Sequence, residues 1–227
     1  TETAFSSFSI VADQSEADAT DRSLALLHLG RAAGLAGRLE EQLEFQEQAS
    51  KISLSANEST RLQVTADYAF ALNRGGNSRD AKELVLRTLE EDIPDDITHA
   101  YSTSRGNLLL VKGIFFRDSG DFVLAEIAFR DAIASFENAG NPKGIAAIFI
   151  SLSVLLRDVE RYDEASVLAR DAARMFGDAG HSGYENTALL NLAWCHLEAQ
   201  EYLKALRVFQ PLRLSSAENL PQKHQIF

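Results

Sequence analysis

The sequence predicts an all-α protein, an α–α superhelix (a solenoid) of about five helix hairpins. Three observations carry this. First, "RDAIASFENAG" (Arg130–Gly140) and "RDAARMFGDAG" (Arg170–Gly180) agree at six of eleven positions, at an offset of 40 residues. Second, a turn, an aromatic and a small residue recur as "GDFVLA", "ERYDEA" and "QEYLKA", ending at Ala125, Ala165 and Ala205. Third, only four prolines stand in 227 residues, and alanine and leucine dominate, which favours helix. A period of this length marks a stacked array, in which each unit buries its apolar face against its neighbours.

Taken in order, residues 1–19 form a lead segment with no role assigned. Five repeats follow over 20–214, at about 20–56, 57–96, 97–140, 141–180 and 181–214. In the first, "GRLEEQ" puts Gln42 in the role of the alanine, with Gly37 and Leu39 as turn and anchor. In the second, "NSRDA" puts Ala81 there, and 44 residues separate it from Ala125. The extra residues fall in "EEDIPDDITHAYS", read as a longer solvated connection around Pro94.

Each repeat reads as two helices. "GIAAIFISLSVLLRD" (Gly144–Asp158) has no breaker after Pro142, a good first-turn residue. "YDEASVLARDAARMF" (Tyr162–Phe176) is amphipathic through Ala165, Leu168, Ala169, Ala172 and Met175 or Phe176. The intervening "VER" is long enough only for an antiparallel hairpin. "NAGNP", "DAGHS" and "LSSAENLPQ" separate the pairs, with Gly140 and Gly180 as stops. The alanines at 125, 165 and 205 let paired helices approach, and Phe129 and Phe209 are expected to fill the gap to the next pair. Residues 215–227 read as the start of a sixth repeat or a capping helix, since Pro221 lies about one period after Ser182. A fragment of a longer protein is therefore expected.

Composition narrows the functions. With 45% hydrophobic and 24% charged residues, this is the composition of a globular protein. The net charge of −11 argues against a nucleic-acid binder, which needs a basic footprint. No stretch approaches the ~18 apolar residues of a membrane span, and "TETAFSSFSI" has no secretory pattern. Cys195 is the only cysteine, so neither a disulfide framework nor a thiolate metal site is expected, and a reducing, cytoplasmic setting is.

The chain has no HExxH, GxxxxGK[ST] or strand-borne GxGxxG. Its histidines (28, 99, 181, 196 and 224) are scattered over different repeats, and neighbouring Cys195 and His196 point about 100° apart on a helix. Glu40–Glu41, Glu90–Glu91 and Asp95–Asp96 are consecutive, as solvated faces are, rather than facing, as an acid–base dyad would be. "NES" at Asn57 matches a glycosylation acceptor, without meaning in the cytoplasm. No catalytic residue, cofactor or metal is expected.

The pattern resembles the tetratricopeptide-repeat (TPR) family. Gly30, Ala69, Gly113, Ser153 and Ala193 match its small residue late in the first helix. Leu39, Phe122, Tyr162 and Tyr202 match its aromatic or bulky anchor, and Ala81, Ala125, Ala165 and Ala205 its alanine. The 40-residue unit is similar to that of Pins-type adaptors, kinesin light chains and the TPR regions of bacterial signalling proteins (GGDEF-linked, maltose-activator-like).

The resemblance implies a concave, partner-binding surface on the first helices. In register, the groove residues are Asn107, Leu110, Ile114 and Arg117, then Ile150, Val154 and Arg157, then Leu190, Asn191 and Trp194. Repeats one and two offer His28, Arg31, Asp67, Phe70, Asn73 and Arg74. Two readings remain open for the stripe: helix–helix packing with arginines paired to neighbouring acids, or a peptide groove with arginines holding carboxylates. The implied function is a non-enzymatic protein- or peptide-binding module, the sensory or scaffolding region of a larger signalling protein. Its partner would be partly apolar, with carboxylates. The alternative is a self-associating spacer or homodimer whose groove is filled by its own flanking segment or a second copy.

Overall fold

A computed structural model of the chain describes residues 2–14, 17–90 and 98–218. Among the described residues the secondary structure is helical: α1 (Glu2–Asp13), α2 (Ala19–Leu35), α3 (Leu39–Ser53), α4 (Glu58–Arg74), α5 (Ser78–Leu89), α6 (His99–Asp118), α7 (Phe122–Asn138), α8 (Pro142–Asp158), α9 (Tyr162–Asp178), α10 (Ser182–Glu198) and α11 (Tyr202–Glu218). Five hairpins result, α2/α3 through α10/α11, with α1 packed on α2. The chain divides into two compact units, Thr1–Asn141 and Pro142–Phe227. The "EDIPDDI" part (91–97) of the expected long connection lies outside the described residues, as do 219–227 of the expected sixth repeat. Helix α11 runs to Glu218, four residues beyond the expected end of the fifth repeat.

One backbone device makes each hairpin. The middle residue of the three-residue turn takes the left-handed conformation: Gly37 (φ 74°), Gly76 (φ 88°), Gly120 (φ 81°), Glu160 (φ 62°) and Gln200 (φ 61°). The next N–H then reaches back to a carbonyl five residues earlier. Arg38 donates to Ala33 at 2.9 Å, Asp121 to Phe116 at 2.8 Å and Arg161 to Leu156 at 2.8 Å. This satisfies orphan carbonyls at the helix end and turns the chain back on itself. Helix starts are capped where sequence allows. Asn57 of "NES" is the N-cap of α4, its Oδ1 accepting from the Thr60 N–H at 2.9 Å. Thr98 does the same for α6, accepting from Tyr101 at 3.0 Å.

Between paired helices the small residues set the distance. A Cβ on Gly113 would overlap the Phe129 ring, and one on Gly30 would lie 2.8 Å from Gln46 Cγ. Ala69, Ser153 and Ala193 occupy the same register in the other hairpins, all fully buried. Phe129 therefore fills space inside its own hairpin. Phe209 meets Trp194 of its own hairpin edge-on, with ring centroids 6.4 Å apart. For Phe129 the physical reason is Gly113, which opens a hole that only a large side chain fills. At the corresponding positions of α8 and α9, Ser153 and Ala169 are both small and both buried. In the first hairpin Gln42 and Gln46 are buried in place of apolar residues, and Arg74 donates to Gln42 Oε1 at 3.5 Å.

In the first unit, α1 adds Phe8, Val11 and Ala12 to a core of Ala25, Leu26, Leu27 and Leu29. Phe8 stacks on His28 with centroids 4.9 Å apart. Burial, and after it the Arg31 guanidinium, pulls the His28 imidazole below its ordinary value, against a weaker upward pull from Asp67. In the second unit, α9 and α10 stack through Ala172, Ala173 and Ala188.

Three expectations follow from this packing. Ala165 is completely buried, so Ala165→Glu should cost several kcal/mol in urea unfolding, at the upper end for one substitution; a loss below ~1 kcal/mol would remove Ala165 from the helix contact. Glu160 and Gln200 hold a conformation that glycine adopts without strain, so Glu160→Gly or Gln200→Gly should raise stability by about 1 kcal/mol. For His28 the folded state favours the neutral ring. Its contribution is complete above the unfolded pKa of about 6.5 and is lost as pH falls through the lower folded value. The urea midpoint should therefore drop on acidification below about pH 6.5, and His28→Gln should flatten that drop.

Candidate functional site

The first helices carry the residues singled out by register. In the first unit, Asn107, Leu110 and Ile114 are half-buried along α6. Arg117 Nη2 lies 2.7 Å from Asp118 Oδ1. On α4, which packs on α6, Phe70 is exposed and Asn73 half-buried. Asp67 receives the Arg31 guanidinium from α2. This lining is polar except for Phe70, Leu110 and Ile114.

The second unit differs. Helices α8 and α10 touch. Ile150 and Val154 are half-buried on α8, while on α10 Leu190 is 43% and Trp194 46% exposed, with Asn191 half-buried between them. Arg157 Nε stands 3.4 Å from Glu198 Oε2, bridging the two helices at the end of this apolar stretch. An indole half open to water costs hydrophobic stabilisation; the Trp194 ring meets that of Phe209 at 87°. Both arginines thus meet acids of their own chain.

Sequence reasoning missed an aromatic cluster at the start of α10. Tyr184 stacks on Phe176 at 5.0 Å, His181 lies edge-on to Phe176 at 6.4 Å, and Lys143 Nζ sits 5.4 Å over the Tyr184 ring. No spacing within one helix signals it, because the residues come from α8, α9 and α10 and the turn before α10. In the first unit Lys82 Nζ similarly lies 4.8 Å over Phe116.

The groups that could carry chemistry are placed as structural ones. Cys195 is buried, and burial pushes its thiol up, away from the reactive thiolate. His196 is buried with Nδ1 2.7 Å from Glu201 Oε2. Hydrogen bonds from Lys204 and then His196 hold the Glu201 carboxyl below its usual range. Among the described residues no three His, Cys, Asp or Glu side chains are grouped to hold a metal ion. Among them, too, no helix is long and apolar enough to cross a membrane.

No protein-family model matches the chain, and no curated protein matches it. Solved structures do. BtubC (BKLC) from P. vanneervenii is 15% identical, covering 97% of this chain and 93% of that one at a TM-score of 0.74. The apo form of RapI is 16% identical, covering 85% of this chain and 69% of that one at 0.66. The STAND protein PH0952 of Pyrococcus horikoshii, which has a tetratricopeptide repeat sensor, is 16% identical at 0.64; it covers 91% of this chain and 32% of its own. At such identities the likeness is one of fold, and it agrees with the repeat register, the hairpin turns and the small-residue contacts. The chain has the all-α superhelical fold of tetratricopeptide-repeat proteins.

Proposed function

We propose that this chain is a non-enzymatic protein-binding module, and that an apolar segment of a partner protein packs on the α8/α10 face of its second unit. The observation that carries this is the exposure of Leu190 and Trp194 beside Ile150 and Val154. Large apolar side chains grouped on one face, with a charged pair at the rim, have the composition of an interface centre. Burying what remains exposed of Trp194 and Leu190 under a partner stabilises by roughly 1.5–3 kcal/mol for the two together. Asn191 adds a donor and an acceptor between them. Arg157 is already neutralised by Glu198, so a partner carboxylate gains only by exchange with Glu198. The apolar contact sets affinity in this reading, and the arginine sets register. Phe70, Leu110, Ile114 and Asn107 form a second, more polar stretch in the first unit, where Arg117 is matched by Asp118. The tetratricopeptide repeat sensor of PH0952 supports a sensory or scaffolding place in a larger signalling protein. The single, buried Cys195 supports a reducing, cytoplasmic compartment.

Trp194 is the only tryptophan, so its emission reports this face directly. In the free chain it should be red-shifted and quenched by acrylamide. Peptides selected from a displayed random library on the wild-type chain should be rich in apolar residues and should shift the emission to the blue. Trp194→Ala should weaken them at least ~tenfold, or about 1.4 kcal/mol, with the helical signal unchanged. An unquenchable Trp194, or selected peptides that bind the variant equally well, would overturn the proposal.

A further inference from the structure

A second surface lies on α11. Leu203 is 74% and Leu206 56% exposed, and they lie on one face with Arg207 and Gln210. One period earlier, the residue matching Leu206 is Ser166, which is 8% exposed on α9. Within the second unit, α9 is packed against α10, so this side of a second helix is one that a further helix covers. On α11 the position carries leucine rather than serine and is open. The described charged side chains of α11 are Lys204 and Arg207, both exposed. Lys204 is tied to Glu201, while Arg207 has no ion pair among the described residues.

Helix α1 carries the opposite character. With Phe8, Val11 and Ala12 turned to α2, its other side presents Ser6, Ser7, Ile10, Asp13 and Gln14, and Ile10 is 59% exposed. Asp13, Asp18 and Asp21 are all exposed, and none makes an ion pair among the described residues. Arg22, next to Asp21, is half-buried and donates to the Ala12 carbonyl at 3.4 Å.

We infer that the α11 face of one copy of this chain docks on the α1 face of another. Ile10 enters between Leu203 and Leu206, and Asp13 with its neighbouring aspartates meets Arg207. The charge match commits the surface to a second copy in head-to-tail order. Two α11 faces brought together would set Arg207 against its own kind, and like charges across an interface are unfavourable. Such a contact is heterologous: each copy keeps one free face of each type, so assembly continues into a ring or an open filament rather than stopping at a dimer. This contact uses second-helix and α1 residues and does not rest on the α8/α10 face.

The test is the mass of the chain in solution, by light scattering and sedimentation over rising concentration. The wild-type chain should pass beyond dimer. Ile10→Glu and Leu206→Glu should each remain monomeric at concentrations at least ten times higher. Mixed in equal amounts they should give a one-to-one heterodimer and nothing larger, because each variant retains the face that the other has lost. Both positions are exposed; should either glutamate disturb folding by far-UV circular dichroism, Ile10→Ser and Leu206→Ser replace them. Serine is what the preceding repeat carries at the Leu206 position. A wild-type chain that is monomeric throughout overturns the inference. So does a mixture with no heterodimer, or self-association lost in Leu206→Glu but kept in Ile10→Glu, which would mean a symmetric α11 pair.

Discussion

Close approach of the two helices within each hairpin is the constraint on which the rest of the structure depends. Where Gly113 meets the Phe129 ring there is no room for even a methyl group. That contact fixes the separation of the pair, and with the separation it fixes which side of each helix remains for the neighbouring hairpin. Packing energy falls off within fractions of an ångström, so a hairpin that opened slightly would lose the contacts on both sides. The turn device serves the same end. A left-handed residue with a back-reaching N–H gives a three-residue reversal, and a longer loop would not hold the helices at the spacing that Gly113 or Ala193 permits.

Exposure on the first helices is a consequence of that spacing. Within a unit, α4 touches α5, α3, α2 and α6, and α10 touches α11, α9 and α8, so one stripe of each remains uncovered. In α10 the stripe holds Leu190 and Trp194, and in α4 it holds Phe70. Nothing in the hairpin contact requires these residues to be large and apolar. Ser151 stands one residue from Ile150, and Thr187 three residues from Leu190, on the same helices with no apolar bulk. A helix stabilised by its buried sides is free to carry any residue on its open one, which gives an exposed indole there functional weight.

The parts of this fold legible in the sequence are those set by residues close together in the chain. The 40-residue period, the alanines at 125, 165 and 205 and the stops at Gly140 and Gly180 each act through backbone conformation or side-chain volume within a few residues. The turns at Glu160 and Gln200 hide the same left-handed geometry behind residues that do not advertise it. The seat of Phe129 in its own hairpin depends on Gly113, sixteen residues earlier, and on the depth of the hole there. Asn57 was dismissed as a chance glycosylation pattern, although its spacing before Thr60 is that of a helix cap. At the candidate site, register alone gave the positions of Leu190 and Trp194 on one face. It did not give the pairing of Arg157 with Glu198, 41 residues apart, which requires knowing that α8 and α10 touch at that end. Helix α1 was not foreseen either, since its stabilisation comes from Phe8 against His28 rather than from any motif of its own.

The two surfaces of the second unit are built from different helices but are not independent. The inner face belongs to α8 and α10, the outer one to α11, and they meet where Trp194 abuts Phe209. Phe209 is three residues from Leu206 and therefore shares a side of α11 with it. Residues in contact couple energetically by 0.5–3 kcal/mol, while residues more than 7–10 Å apart without shared partners do not. The edge contact at 6.4 Å between centroids thus lies between the face proposed for a partner and the face proposed for a second copy. Close packing within the hairpin is what brings these two faces of the second unit to one aromatic contact.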